Sequence, residues 1–386
     1  MPAAQNRRQP QKRPGAGRFA RFTAWLKREL AKRPLPLWCV IVADILVFAV
    51  AIIVFALFHH VLPRARVSAN IVSARPGTAV QAAPVELQPA ATDMPVATEA
   101  ALIEEVPEIP EETQAPQATA VPAPTATAEP IPVGYFGHKW PEKFESTSVH
   151  QSDDAYRSPN INMTVKKIEG DKQIYYVADF YIKDISSFQT ALAEDKYGSF
   201  REWPREMARR HGGIVAVNGD YYGTRSEGFV ARNGTVYREE RVLERDICVL
   251  YWDGVMETYA PYEFNASEAI ARGMYQAWNF GPALLDANGD PLSEFNTDVA
   301  KSNPRTAVGY YEPGHYCFFV ADGRSKKAKG PTMQELAQVM HDLGCKAAYN
   351  MDGGDTSQMV FNDKVISNPS DGGRKCSDIL MVVEPE

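Results

Sequence analysis

The sequence predicts an α+β domain, a mixed β-sheet with packed helices, preceded by one transmembrane helix and a disordered stalk. Three observations lead there. The run Leu37–Phe58 is apolar apart from Asp44. A long segment rich in Pro, Ala, Thr and Glu follows it. Beyond residue 134, short apolar runs alternate with Asn-Gly and Asp-Gly turn signals, and one strongly periodic helix lies among them.

Residues 1–34 form a basic head. Arg7, Arg8, Lys12, Arg13, Arg18, Arg21, Lys27, Arg28, Lys32 and Arg33 face one acid, Glu29. The next segment, 35–62, contains "LWCVIVADILVFAVAIIVFALF". A helix of about 20 apolar residues spans a bilayer core. Asp44 sits nearer its N-terminal end and can reach toward the interface, so it does not veto the span. The run is too long for the core of a cleaved signal peptide, although Val67–Ala69 resembles a cleavage site. The basic head keeps the N-terminus in the cytoplasm, which places the rest outside a single-pass cell-membrane protein.

Residues 63–133 read as a stalk. "PEIPEETQAPQATAVPAPTATAEPIP" is typical of it, and Arg75 is the one basic residue from Val67 to Pro130. Such a composition buries too little apolar surface to fold. The formal net charge of −7 therefore divides into a basic head and a more acidic remainder, and no nucleic-acid partner is expected. Cys248, Cys317, Cys345 and Cys376 lie in the external part, where three disulfide pairings are open. No CxxC spacing points to zinc.

The folded domain is expected over 134–386. "NMTVKKI" and "QIYYVADFYI" read as strands of a hairpin, and "FREWPREMARRHGG" as a short helix with Pro204 in its first turn. "IVAV" suits a buried strand. "GFVARNGTVYR", "DICVLYWDGVMETY" and "ALLDANGDPL" read as hairpins. The spacing predicts a helix over Met333–Leu343, with Thr332 and Glu335 as a capping box and Gly344 as its C-terminal stop. Flanked by "HYCFFVAD" and "CKAAYN", it suggests a crossover between parallel strands.

Polar residues collect where the apolar runs end. Asn218 and Asp220 follow "IVAV"; Asp322, Gly323 and Arg324 follow "CFFVA"; Asn350, Asp352, Gly353, Gly354 and Asp355 follow "KAAY"; Arg305 and Thr306 precede another run. Strand ends are where α/β sites are built. Arg305, Arg324 and Arg374 could bind a phosphate or carboxylate in bidentate fashion. Asp220, Asp352 and Asp355 could serve as base, nucleophile or sugar-hydroxyl acceptor. No G-x-S-x-G, H-E-x-x-H or P-loop is present, and His211, His315 and His341 are scattered. Asp286, Asn288 and Asp290 begin like a calcium loop, but Pro291 and Thr297 stand where it needs glycine and an acid, so they read as a turn. Neither metal nor cofactor is called for, with a calcium ion left as the open alternative.

Together, "AVNGDYYG", "NFGPALL", "NPRTAVGY", "VADGRS", "LGCKAAYNMDGGDTSQMVFN" and "GGRKCSDILMV" occur in order, within a resemblance that covers roughly Asn160 to Val383. This set resembles the phosphodiester glycosidase family, the bacterial relatives of N-acetylglucosamine-1-phosphodiester alpha-N-acetylglucosaminidase. The resemblance implies hydrolysis of a sugar-1-phosphodiester; the expected anchor and stalk, by placing the domain outside the cell, point to an envelope or exopolysaccharide glycan, with a phosphorylated glycan or cell-wall polymer as partner. The alternative is a non-catalytic glycan-binding or envelope-assembly module. The resemblance matches Asn218, Asp220, Arg305, Thr306, Asp322, Gly323, Arg324, Asn350, Asp352, Gly353 and Gly354 to the family's site motifs. The chemistry of such a reaction then puts the carboxylate role on Asp352, with Asp220 second, and phosphate binding on Arg305 and Arg324, with Arg374, Asp355 and Ser357 as further substrate-binding candidates. Asp355 stands where the family usually carries a third glycine.

Overall fold

The computed structural model describes residues 37–56, 71–76, 131–145, 147–240 and 244–385. The basic head 1–34 and most of the expected stalk lie outside them. The chain divides into two units, Met1–Arg66 and Val67–Glu386. In the first, helix α1 spans Leu37–Ala56, with Trp38, Ile41, Ile45, Leu46 and Phe48 exposed. Several of its side chains lie outside the described residues. Among the described residues, no helix is long and apolar enough to cross a membrane.

The second unit is sheet-dominated with a few helices, and every described strand ladder is antiparallel. Strands are numbered in chain order. One sheet runs β1 (Ile71–Val72), β9 (Thr235–Glu239), β8 (Phe229–Arg232), β12 (Met274–Trp278), β10 (Ile247–Tyr251), β11 (Met256–Tyr259). A second runs β15 (Ala347–Asn350), β13 (Arg305–Glu312), β14 (His315–Ala321), β5 (Gln173–Ile182), β4 (Ile161–Gly170), β3 (Ala155–Arg157), β2 (His150–Gln151). The third runs β17 (Lys364–Val365), β16 (Met359–Phe361), β7 (Val215–Asn218), β18 (Asp378–Val382), β6 (Phe188–Leu192). One apolar core joins all three, with Phe180, Phe188, Val217, Leu250, Trp278, Phe318, Tyr349 and Leu380 among its members.

Two expectations change here. Residues 71–76 are not stalk. Ile71 pairs with Val236, the Trp252 indole donates to the Ser73 carbonyl at 2.8 Å, and Arg75 bridges Asp184 at 2.7 Å. An isolated Ile-Val pair and one arginine gave too little pattern to reveal this edge strand. The expected crossover also differs. β14 and β15 do run in the same direction, but β13 lies between them and pairs with both.

Helix α4, Met333–Asp342, forms as its capping box requires: Thr332 Oγ1 accepts from the Glu335 amide at 3.2 Å, and Glu335 accepts from the Thr332 amide at 2.7 Å. Two shorter helices precede it in this unit, α2 (Pro204–Arg210) and α3 (Ala266–Arg272). Met333, Leu336, Ala337 and Met340 of α4 bury one apolar face against Ala307, Cys317, Phe319 and Ala348 of the second sheet. α2 covers the third sheet through Met207 and Ala208. Both helices stiffen the strands whose ends form the site.

Candidate active site

The antiparallel pairing brings six strand ends to one rim. β7, β14 and β15 finish there, and β13, β16 and β18 begin there. Two backbone bonds continue the stitching past the strands: Met351 N–H to the Thr306 carbonyl, 2.8 Å, and Asp352 N–H to the Gly219 carbonyl, 3.1 Å. Asn218 completes it. Its amide donates to the Asp352 carbonyl at 2.7 Å, and its oxygen accepts from Thr306 Oγ1 at 2.7 Å. Asn218 and Thr306 are both wholly buried, so they fix the backbone that carries Asp352.

Asp352 is the carboxylate at this rim. It is 7% exposed. Its Oδ2 accepts from Thr356 Oγ1 at 2.6 Å and from Arg374 Nη2 at 3.0 Å; its Oδ1 accepts from the Gly353 amide at 3.0 Å. Burial raises its pKa, against the opposing pull of the Thr356 bond and of Arg374. The local sequence explains the geometry. Gly354 adopts φ +69°, and a Cβ there would stand 3.0 Å from Arg324 Nη2. The Asp-Gly-Gly turn thus lets a guanidinium lie close over the backbone.

Asp352, Gly353, Gly354, Arg305 and Arg324 line one cavity of about 130 Å³, together with Phe280, Val299 and Asn303. Arg305 is buried and donates to the carbonyls of Val299 and Lys301 at 2.6 and 2.5 Å. Burial, then the neighbouring Arg324, lowers its pKa to about 10. No carboxylate is paired with it among the described residues. Arg324 is more exposed and pairs with Asp355 at 2.7 Å.

Other expected site residues sit elsewhere. Asp220 does not face the cavity. Its Oδ1 lies 2.8 Å from Arg232 Nη2, and its Oδ2 accepts from the Asn279 amide at 3.1 Å. Arg232 also donates to Asp378 Oδ2 at 2.9 Å, which makes a fully buried Asp–Arg–Asp triad. Asp220 is thus part of the scaffold behind the rim, its charge compensated by the buried Arg232. Gly219 is held to glycine by this triad: a Cβ there would fall 2.1 Å from Asp378 Oδ1. Asp322 accepts from the Asn368 amide at 2.9 Å and from its side chain at 2.8 Å. With Gly323 and Arg324 it lines a separate, wider cavity of about 730 Å³. Asn350 donates to the Gly281 carbonyl at 2.8 Å, and Ser357 is buried in the turn below Gly354.

Reading the residues missed several participants. Phe280, within "NFGPALL", lines the cavity, and no local pattern marks it as a site residue. Tyr221, at φ +68°, carries Arg201, Arg225 and Arg374 around its ring at 5.5, 5.8 and 5.4 Å from the centroid. Only its place after Asn218-Gly219-Asp220 hinted at this. Asp286 accepts from the amides of Asn288 and Asp290 at 2.8 and 2.9 Å, as a turn does. Among the described residues, no group of three His, Cys, Asp or Glu side chains could hold a metal.

A sheet-built domain with one buried carboxylate among arginines at its rim is the class that fold and site define. Residues 211–383 match the phosphodiester glycosidase family model. The chain is similar to the SPbeta prophage-derived uncharacterized protein YomE of Bacillus subtilis, 29% identical over 194 residues, covering 48% of this chain and 30% of that protein. It is 31% identical over 99 residues to mouse N-acetylglucosamine-1-phosphodiester alpha-N-acetylglucosaminidase, covering 24% of this chain and 19% of the mouse enzyme. The chain therefore spans less than a third of the length of these relatives. The zebrafish N-acetylglucosamine-1-phosphodiester alpha-N-acetylglucosaminidase catalytic domain, auto-inhibited by its pro-peptide, aligns at a TM-score of 0.49 and 20% identity, over 62% of this chain and 88% of that one.

Proposed function

We propose that this domain hydrolyses a sugar-1-phosphodiester in an envelope glycan or exopolysaccharide, outside a cell membrane to which the chain is anchored. One observation carries the chemistry: Asp352 is buried and held by three donors, and it lines the same cavity as Arg305 and Arg324. A phosphodiester leaves readily from an anomeric carbon, so the reaction needs little general-acid help. It needs charge stabilisation instead. In this reading Arg305 and Arg324 grip the phosphate, and the Asp352 carboxylate stabilises the oxocarbenium-like state. Arg374 and Thr356 hold that carboxylate in position. The anchor rests on the sequence: a basic head followed by Leu37–Phe58 with one charge.

The test is release of sugar from a sugar-1-phosphodiester by purified protein. Asp352→Asn is expected to lower turnover by at least ~10²-fold with an unchanged melting curve. Full activity in that variant removes Asp352 from the mechanism. One observation favours a binding-only module: Asp355 already occupies Arg324. Capture of wall fragments without release of sugar would select that reading.

A further inference from the structure

Beside the Asp352 cavity lies a second one, of about 350 Å³, lined by two arginines, Arg225 and Arg245, two acids, Glu244 and Asp298, and by Phe280, Asn296, Thr297 and Val299. Phe280 and Val299 line both cavities, so the two share a wall. The Nη1 atoms of Arg225 and Arg245 are each buried with no hydrogen-bond partner among the described residues. Neither guanidinium forms an ion pair among those residues, and Glu244 and Asp298 are exposed. Arg225 is held by ring faces instead: its guanidinium carbon lies 4.9 Å from the Phe280 centroid and 5.8 Å from that of Tyr221. Such stacking fixes the plane of the group while leaving its N–H donors uncommitted. A buried donor left without a partner is destabilising, more so when charged. Two guanidinium side chains that line one cavity without an ion pair among the described residues are the arrangement an anionic ligand neutralises.

We propose that this cavity is a second anion subsite, binding a phosphate of the substrate adjacent to the phosphodiester that Asp352 faces. The inference rests on the phosphodiester glycosidase reading of the neighbouring cavity and deepens it. The substrate class becomes a chain carrying successive phosphates, not an isolated diester. Each guanidinium can offer a forked pair of donors to phosphate oxygens, and Phe280 and Val299, which line both cavities, bring the two charges side by side.

The test is an equilibrium titration of the purified full chain with two probes, glycerol 3-phosphate and a linear trimer of glycerol phosphate. At about 0.15 M salt, where long-range attraction is screened, wild type is expected to bind the trimer at least ~10-fold more tightly, the ratio that one additional modest contact supplies. Arg225→Gln with Arg245→Gln should reduce that ratio to ~2 or below. Lys166→Gln with Arg209→Gln removes the same charge from exposed positions and should preserve it. Arg245→Gln alone, expected to lower the ratio partly, serves if the double variant melts abnormally. An equal ratio in wild type and the Arg225/Arg245 variant overturns the subsite, as does wild type showing no preference for the trimer. The titration involves no turnover. Preference for the trimer without sugar release would sink the hydrolase reading alone, and release without preference would sink the subsite alone.

Discussion

Arg324, which lines the same cavity as Asp352, forms an ion pair of 2.7 Å with Asp355. The acid stands one residue beyond the Gly353-Gly354 turn, and its pairing draws Arg324 toward the turn. Both side chains are partly exposed, 46% and 30%, so the pair itself contributes little, on the order of 0–1 kcal/mol. Asp355→Gly therefore should leave stability within about 1 kcal/mol. It should also free Arg324 for an anionic substrate and lower KM by ~2–5-fold at constant kcat. Steady-state kinetics on a sugar-1-phosphodiester check this; a raised KM would mean that Asp355 itself holds substrate.

Thr356 controls the charge on Asp352. Its hydroxyl donates to Oδ2 at 2.6 Å and opposes the rise that burial imposes on the carboxyl pKa. Thr356→Val keeps the shape and removes the donor. The Asp352 pKa should then climb further, because the ionised form loses a hydrogen bond. With ionised Asp352 as the working species, the acid limb of the kcat/KM profile should move to higher pH, while the rate at the alkaline plateau changes much less. An acid limb that stays in place would assign it to another group.

The parts of this structure written as local patterns were legible from the sequence. The Thr332–Glu335 capping box, the Asn233-Gly234 hairpin and the Asp352-Gly353-Gly354 turn each depend on neighbours in the chain. What escaped depends on distant partners. Asp220 resembles an active-site acid until Arg232, on a different strand, is seen beside it, and nothing in "VARNG" marks that arginine as buried. Phe280 and Arg225 meet only in the fold, across 55 positions, 225 to 280. Strand β1 is two residues long and becomes recognisable only when β9 offers it an edge.

That short strand carries a prediction of its own. Removing residues 71–76 deletes the pairing with β9, the Trp252–Ser73 bond and the Arg75–Asp184 bridge. Each hydrogen bond is worth about 0.5–1.5 kcal/mol net. A chain beginning at residue 77 should unfold at lower denaturant, with a loss of ~1–3 kcal/mol, because β9 becomes the exposed edge of its sheet. Urea titration measures it; an unchanged midpoint would show that the segment merely rests on the domain.

Behind the rim, the triad of Asp220, Arg232 and Asp378 places two carboxylates on one guanidinium, all buried. Arg232→Met leaves both acids unpaired and should cost ~3–5 kcal/mol. The pH dependence is more specific. Burial, reinforced by the nearby Asp220 and only partly offset by Arg232, pushes Asp378 up to about 7. An unfolded aspartate titrates near ~3.9. Between those values the folded chain holds a proton that the unfolded chain has released. The stability due to Asp378 is therefore fully present below the unfolded value and is lost as pH rises through about 7. Asp378→Asn cannot lose that proton, and its amide oxygen can still accept from Arg232. Its unfolding free energy should fall less than that of wild type between pH 5 and 8 (roughly the span bracketing that titration), with groups common to both proteins cancelling in the difference. Two parallel curves in chemical denaturation across that range would show that Asp378 is ionised throughout and that Arg232 satisfies both acids.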